Sequence, residues 1–325
     1  MLKWGLMLPS RGVLMGMFGP GYLLELADIC EANPTFDGVW AGDSIIAKPR
    51  LEALVLLAAI AGRTKRITLG TAALASFPLR DPLILAVQWA SLDQLAGGRT
   101  ILCAAIGGSP TSGGKFEEEF KAFRVRPKDR LARTEELVEL LRLLWTRDHV
   151  TYEGRHFHYE NVSLVPKPIQ QPVPIWLVSN PFQTGKTHLI ERGLRRVARY
   201  ADGWMTTRLS PEQFATGWRT IQTYARELGR DPQSIEPCLC FNIHVNANKA
   251  IALREAKTFL DRYYATNFPE NVIDLWCATG SVEECVARTR AFVDAGATYL
   301  IMRFAAFDWP AQMRVFLDRI VPTFA

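Results

Sequence analysis

The feature that most constrains this chain is an alternation repeated eight times along its length. Short apolar, β-branched runs occur at residues 3–9, 38–44, 67–76, 100–108, 174–180, 203–208, 236–246 and 298–304. Patterns of helical period lie at 21–33, 52–62, 82–96, 128–146, 185–200, 211–228, 248–264, 281–295 and 310–320. Strands that are apolar along their whole length, each followed by a helix, belong to a parallel sheet covered by helices. Eight such units in 325 residues predict an α/β fold, a (β/α)8 TIM barrel forming a single domain over 1–325. A doubly wound open sheet is the competing arrangement. Against it, no GxGxxG follows the first strand and no shift in composition marks a second domain. Helix punctuation supports the element boundaries: Ser210 precedes Pro211 as N-cap and first helical residue, and Ser281 and Glu284 have capping-box spacing.

Three stretches are surplus to a plain barrel. Residues 109–127, rich in Gly, Ser, Lys and Glu, follow the fourth strand and form the candidate active-site lid. The glutamates of KFEEEF (115–120) read as a solvated helical face. Residues 150–173 read as a hairpin insertion (TYEGRHFHYENVSL) with a Pro/Gln-rich return before the fifth strand. Residues 265–280 form a further insertion after the seventh strand and its helix.

Two loops have the composition of phosphate sites, and neither is a nucleotide-binding P-loop. That motif needs a glycine six positions before its lysine, so that backbone N–H groups can wrap phosphates. Asn180 stands there ahead of Lys186, and Ser109 ahead of Lys115; after Lys115 comes Phe116 in place of a Mg²⁺-binding hydroxyl. Ser179, Asn180, Thr184 and Gly185 still precede a helix, where a single phosphate can be held by amide and hydroxyl donors; as plain helix caps they need no ligand.

Composition narrows the partners. A net charge of +5 without a basic block suits small anionic ligands and gives no footprint for nucleic acid. No apolar run reaches the ~20 residues of a membrane-spanning helix. Pro9, Arg11 and the early glycines interrupt any signal-peptide core, so a cytoplasmic protein is expected. Six cysteines in a chain this long do not make a disulfide scaffold; Cys238 and Cys240 read as buried thiols. His156 and His158 on the hairpin read as surface or packing residues, with no metal implied.

In a barrel, chemistry sits at strand C-termini. The candidates there are Ser10 and Arg11; Asp43 and Ser44; Ser76 and Phe77; Gly107, Gly108 and Ser109; Ser179 and Asn180; Thr206, Thr207 and Arg208; Asn242 and His244; Arg303 and Phe304. The set holds one carboxylate and one histidine, with no GxSxG, HExxH or carboxylate pair. Chemistry carried by a bound organic cofactor fits such a set better than a protein nucleophile.

ITLGTAALAS (67–76) followed by RDP (80–82), LDQLAGGRTILCAAIGG (92–108), ELVELLRLLWT (136–146), YEGRHFHYENVSLVPKPIQQPVPIWLVSN (152–180) and RYADGWMTT (199–207) carry a resemblance. In order and spacing, over nearly the whole chain, they resemble the bacterial-luciferase-like flavin-dependent oxidoreductases. That superfamily includes FMN-dependent monooxygenases and enzymes of the deazaflavin coenzyme factor 420. The resemblance implies a TIM barrel with the flavin ring at the strand C-termini. It also implies a non-prolyl cis peptide at Ala72–Ala73 behind the ring, with Thr71, Gly107 and Gly108 nearby. Ser179, Asn180, Thr184 and Gly185 would hold the cofactor phosphate. Where many relatives carry histidine after the second strand, this chain has Asp43 and Ser44; where several deazaflavin dehydrogenases carry glutamate after the fourth, it has Gly108.

The resulting expectation is a monooxygenase that uses reduced FMN, supplied by a separate NAD(P)H:flavin reductase, and O₂ to oxidise a small organic substrate. Asp43 or Ser44 would act at the reacting region, with Arg11, Phe77, Trp204 and Phe304 walling the substrate pocket. A deazaflavin-dependent dehydrogenase or reductase that passes hydride without O₂ is the alternative, and a flavin-binding protein without turnover is another. The resemblance further implies a homodimer.

Overall fold

A computed structural model describes residues 2–108, 113–180, 182 and 187–324. Its strands are β1 (Lys3–Met7), β2 (Phe36–Ala41), β3 (Thr68–Thr71), β4 (Thr100–Ala104), β5 (Val150–Glu153), β6 (His158–Val162), β7 (Ile175–Val178), β8 (Gly203–Thr206), β9 (Glu236–Val245), β10 (Cys277–Gly280) and β11 (Tyr299–Phe304). The hydrogen-bonded order of the main sheet is β10-β9-β11-β1-β2-β3-β4-β7-β8, and β8 pairs again with β9. Eight strands therefore follow one another in a ring, the (β/α)8 barrel that the sequence predicts. All eight predicted runs are strands of that ring.

The helices are α1 (Gly21–Ala32), α2 (Ala53–Ala61), α3 (Pro82–Ala96), α4 (Phe116–Ala122), α5 (Arg130–Thr146), α6 (Thr187–Tyr200), α7 (Pro211–Glu227), α8 (Lys249–Tyr264), α9 (Glu270–Trp276), α10 (Val282–Asp294) and α11 (Trp309–Val315), the last running on into a π turn at Phe316–Ile320. Their ends follow the chemistry in the sequence. The Asp81 carboxylate accepts from Ile84 N with Pro82 at the first turn, a cap whose loss costs about 1 kcal/mol. Ser210 with Gln213, and Ser281 with Glu284, form reciprocal capping boxes.

The chain divides into two compact units. One comprises Leu8–Ala32 and Gly38–Val178, the other Met1–Met7, Asn33–Asp37 and Ser179–Ala325. In the first, Trp40 on β2 stacks on Trp176 of β7 at 5.1 Å between centroids. That ring explains Gly70 on β3, where a Cβ would lie 2.3 Å from Trp40. In the second, Phe316 packs against Trp4, Phe36 and Phe304. The insertion at 150–173 contains the expected antiparallel hairpin, β5 with β6.

Two regions differ from the sequence reading. Within 109–127, residues 109–112 lie outside the described residues, but 116–122 form α4 and its Glu119 is fully buried, not solvated. Phe116, Glu119 and Phe120, at i, i+3 and i+4, share the one buried face of this short helix, while Glu117 and Glu118 on the opposite face are exposed as expected. Within 265–280, α9 leads into β10, a ninth strand of the main sheet that pairs with the C-terminal half of β9, Cys277 opposite Asn242 and Gly280 opposite Val245. A four-residue strand, CATG, is too short to announce itself by periodicity.

Candidate active site

The unit formed by Leu8–Ala32 and Gly38–Val178 carries the strand ends of β2, β3 and β4. The peptide Ala72–Ala73, just past β3, is cis. Ala72 N donates to Ala41 O at 2.8 Å, and Ala73 O accepts from Asp43 N at 3.3 Å, so the ends of β2 and β3 are tied together. Asp43 strengthens that tie. Its Oδ2 accepts from Ser76 N at 2.8 Å and its Oδ1 from Arg80 Nη2 at 3.3 Å. Arg80 also donates to Ser76 Oγ at 2.9 Å and to Glu52 Oε1 at 2.7 Å, while Glu52 Oε2 caps α2 through Val55 N. With its side chain almost wholly buried, Asp43 has both oxygens engaged by the protein.

Ser44 is engaged as well. Its hydroxyl donates to Glu119 Oε2 at 3.2 Å and accepts from Lys48 N at 2.8 Å. The same Glu119 oxygen accepts from the amides of Ile45 at 3.0 Å, Ile46 at 2.5 Å and Ala47 at 2.6 Å. Four donors thus converge on one carboxylate oxygen, a concave turn of amides filled by a side chain from α4. Neither Glu119 nor Arg80 is a candidate in the sequence reading. Ser76 and Arg80 have helical i,i+4 spacing, and that was the available signal for Arg80. For Glu119, the amphipathic reading of a short acidic helix pointed the wrong way.

Gly107 and Gly108 make room for α4. At Gly107, with φ of +77°, a Cβ would lie 2.9 Å from Phe120; at Gly108 it would lie 2.3 Å from Phe116. Phe116 thus occupies the space of any side chain at 108, the physical counterpart of a glycine where the resemblance places glutamate. Thr71 bridges β3 to β4, its hydroxyl donating to Cys103 O at 2.9 Å and accepting from Cys103 N at 3.0 Å. Arg11 is half-buried, and the Ser10 hydroxyl is fully buried with no hydrogen-bond partner among the described residues. Phe77 has no exposed surface.

In the other unit, Asn180 fixes the end of β8: its Oδ1 accepts from Thr206 Oγ1 at 3.1 Å and from Thr207 N at 2.9 Å. Ser179 N donates to Met205 O, and Ser179 O accepts from the Trp204 indole at 2.9 Å. Trp204 and Phe304 are fully buried, the first stacked on Phe214 of α7 and the second against Trp309 and Phe316. Phe77, Trp204 and Phe304 thus have no exposed surface, Trp204 and Phe304 being packed onto helices of this unit. Thr184 and Gly185, with Ser109 and Lys186, lie outside the described residues.

Two arginines define the same unit's polar interior. Arg303 is 1% exposed; its Nε and Nη2 donate to Asn242 Oδ1 at 3.0 and 2.9 Å, and its Nη1 to the Tyr264 hydroxyl at 3.1 Å. Asn242 is aimed by its own donation to Trp276 O at 3.3 Å. The Arg303 guanidinium lies 4.6 Å from the Tyr263 ring and 5.9 Å from Trp276. Arg208, two residues past β8 and with φ of +59°, stacks 4.0 Å from the same Trp276 ring and 4.9 Å from Phe268. Its Nε is buried without a partner. Burial pushes the Arg208 guanidinium below the ordinary arginine value; Tyr264 opposes this and the charge of Arg303 adds to it. Burial likewise pushes the Cys240 thiol up to about 11 and Cys277 up to about 12, despite both guanidinium charges. No group of three metal-ligating side chains occurs among the described residues.

His244, unlike an outward-facing strand residue, is buried. Its Nδ1 lies 2.9 Å from Ala305 O and its Nε2 2.9 Å from Glu255 Oε2. It borders a cavity of about 520 Å³ shared with Arg254, Phe307, Asp308 and Gln312. No helix among the described residues is long and apolar enough to cross a membrane.

Known proteins agree with this architecture. The F420-dependent glucose-6-phosphate dehydrogenase of Kineococcus radiotolerans is 26% identical over 94% of this chain and 93% of its own. The enzyme of the same name from Amycolatopsis mediterranei is also 26% identical, over 94% and 95%. A monooxygenase from Streptomyces bottropensis has the same fold over the whole of both chains, with a TM-score of 0.80 at 21% identity. An F420-dependent secondary alcohol dehydrogenase, solved with an F420–acetone adduct, gives 0.79 at 20% identity over 98% of each chain. Residues 3–299 match the luciferase-like monooxygenase family, and the chain belongs to it, as an oxidoreductase on a TIM barrel.

Proposed function

We propose that this chain is a deazaflavin-dependent oxidoreductase that transfers hydride between the coenzyme and a small organic substrate. One observation carries the reading: relatives that align over more than nine-tenths of both chains, those of Kineococcus radiotolerans and Amycolatopsis mediterranei among them, are named F420-dependent glucose-6-phosphate dehydrogenases. The residues present fit such a coenzyme. Ala72 and Ala73, joined by the cis peptide, offer backbone and small side chains for close approach of a planar ring, and the buried Ser10 hydroxyl has no partner among the described residues. When bound, the coenzyme supplies the hydride acceptor or donor. Asp43 and Arg80 then act as positioning residues: they hold Ser76, and with it the segment after Ala72–Ala73, against the end of β2.

A reduced-FMN monooxygenase with a separate reductase is the second reading. The observation that favours it is Gly108, overlaid by Phe116 at the position where the dehydrogenase resemblance places a glutamate. Anaerobic titration of the protein with deazaflavin coenzyme and with FMN separates the two. The proposal expects the deazaflavin to bind at least about tenfold more tightly, followed by its substrate-dependent reduction without oxygen. Tighter binding of reduced FMN with substrate-dependent oxygen uptake would replace it with the monooxygenase.

A further inference from the structure

Arg208 and Arg303 are charged groups that the protein leaves electrically incomplete. Arg303 is fully buried, yet its partners are the amide oxygen of Asn242 and the hydroxyl of Tyr264, both neutral. Arg208 makes no hydrogen bond or ion pair among the described residues; it is held only by the faces of Trp276 and Phe268. Both guanidinium groups border one indole, at 4.0 and 5.9 Å from its centroid. Removing like charges from water without a counter-charge is unfavourable, and the charge of Arg303 adds to the cost of burying Arg208. Aromatic faces offset only part of that cost. Arg208 also adopts a left-handed backbone conformation that side-chain-bearing residues seldom take, which fixes where its fork begins.

The surroundings favour a ligand over a mere structural pair. Scaffold arginines in this protein have every fork tied down, to carboxylates as Arg80 is to Asp43 and Glu52, or to backbone carbonyls as Arg99 is to Thr64 O; Arg208 has neither kind of partner among the described residues. The donors left over on Arg208 and Arg303 are planar N–H groups, the geometry that grips carboxylate or phosphate oxygens in pairs. Arg208 is only part-buried, so an oxyanion has a route to it. From this we infer that Arg208 and Arg303 form a recognition subsite for the oxyanion of an organic substrate, a carboxylate or a phosphate monoester. The assignment rests on the oxidoreductase reading only in calling that ligand a substrate. The other source of such an oxyanion is the coenzyme phosphate.

The test uses inorganic phosphate as probe and the full chain without coenzyme. At matched ionic strength in sodium chloride, phosphate should raise the thermal midpoint of the wild type in a saturable way. Arg208→Gln and Arg303→Lys should each weaken that response at least about tenfold. Arg208 is part-exposed and has no partner to lose, so its variant keeps the test decisive if Arg303→Lys does not fold. Deazaflavin affinity, measured on Arg208→Gln, should stay within about twofold of wild type. No saturable shift, or an equal shift in Arg208→Gln, overturns the subsite. A tenfold loss of coenzyme affinity in Arg208→Gln assigns the oxyanion to the coenzyme and overturns the substrate assignment. Because the phosphate titration needs no coenzyme, a protein that prefers FMN would refute the deazaflavin reading and leave this result intact.

Discussion

The turn after β2 and the strand ends of β8 and β11 both bury charge, and they do so in opposite ways. After β2, Asp43 faces Arg80, Arg80 reaches Glu52, and one oxygen of Glu119 gathers a hydroxyl and three amides. At the ends of β8 and β11, two guanidinium groups meet, among the described residues, only an amide, a phenol and aromatic faces. A charge matched inside the protein fixes a loop in place and is neutral to what binds. A charge left unmatched raises the energy of the empty protein and gives that energy back when a ligand of opposite sign arrives. The first network therefore reads as scaffold and the second as recognition, and substitutions should separate them.

The largest effect is expected at Glu119. Glu119→Ala strands the buried Ser44 hydroxyl, the buried amide of Ala47 and the part-buried amides of Ile45 and Ile46; each buried unsatisfied group costs ~1–3 kcal/mol, so the denaturant midpoint should fall by the equivalent of at least about 2 kcal/mol. A loss below about 1 kcal/mol would mean that water replaces the carboxylate and that the turn is no scaffold. Asp43→Asn comes next. It removes the charge opposite Arg80 but leaves Glu52 in place, so a loss of ~1–2 kcal/mol is expected, with turnover lowered more than coenzyme affinity. Unchanged stability would move Asp43 from scaffold to chemistry.

A scaffold carboxylate away from both regions gives a pH control. Burial tends to raise Glu31, but the amides of Lys65, Ile67 and Arg66 outweigh it and hold its carboxyl below the ordinary value of 4.5. A lowered value means stability that is fully present above the unfolded-chain value and lost as pH falls through the folded one. The stability gap between wild type and Glu31→Gln, at most about 1 kcal/mol once solvent screening is allowed for, should therefore narrow between about pH 5 and pH 3. A gap that widens on acidification would contradict the assignment. The smallest change is expected from Arg208→Gln in the ligand-free protein, within about 0.5 kcal/mol of wild type, since a lost cation–π contact is offset by relief from Arg303. A loss of about 2 kcal/mol would place Arg208 among the scaffold charges and erase the contrast between the two regions.

The barrel was legible because its signal is repetitive: eight apolar runs, each followed by a helical period, leave few other ways to bury both faces of every strand. Local chemistry was legible for the same reason. The caps at Ser210 and Ser281 and the hairpin in 150–173 depend on residues a few positions apart. The family resemblance located the cis peptide at Ala72–Ala73, which neither composition nor spacing could do. Beyond that reach the reading failed in consistent ways. Glu119 resembled a solvated residue because its four partners lie 72 to 75 positions away. That Phe77, Trp204 and Phe304 are fully buried also could not be read from their positions, since the direction of each side chain was not in the sequence.

Residue pattern alone thus determined the class of fold, the order of its strands and helices, and most of their ends, since these follow from periodicity and short-range hydrogen bonding. Tertiary structure decided which charges are matched. Asp43 and Arg80 are 37 positions apart, and Arg303 meets Asn242 across 61. Whether a carboxylate or a guanidinium finds a partner depends on which loops the barrel brings together, and at such separations no local rule in the sequence carries that information.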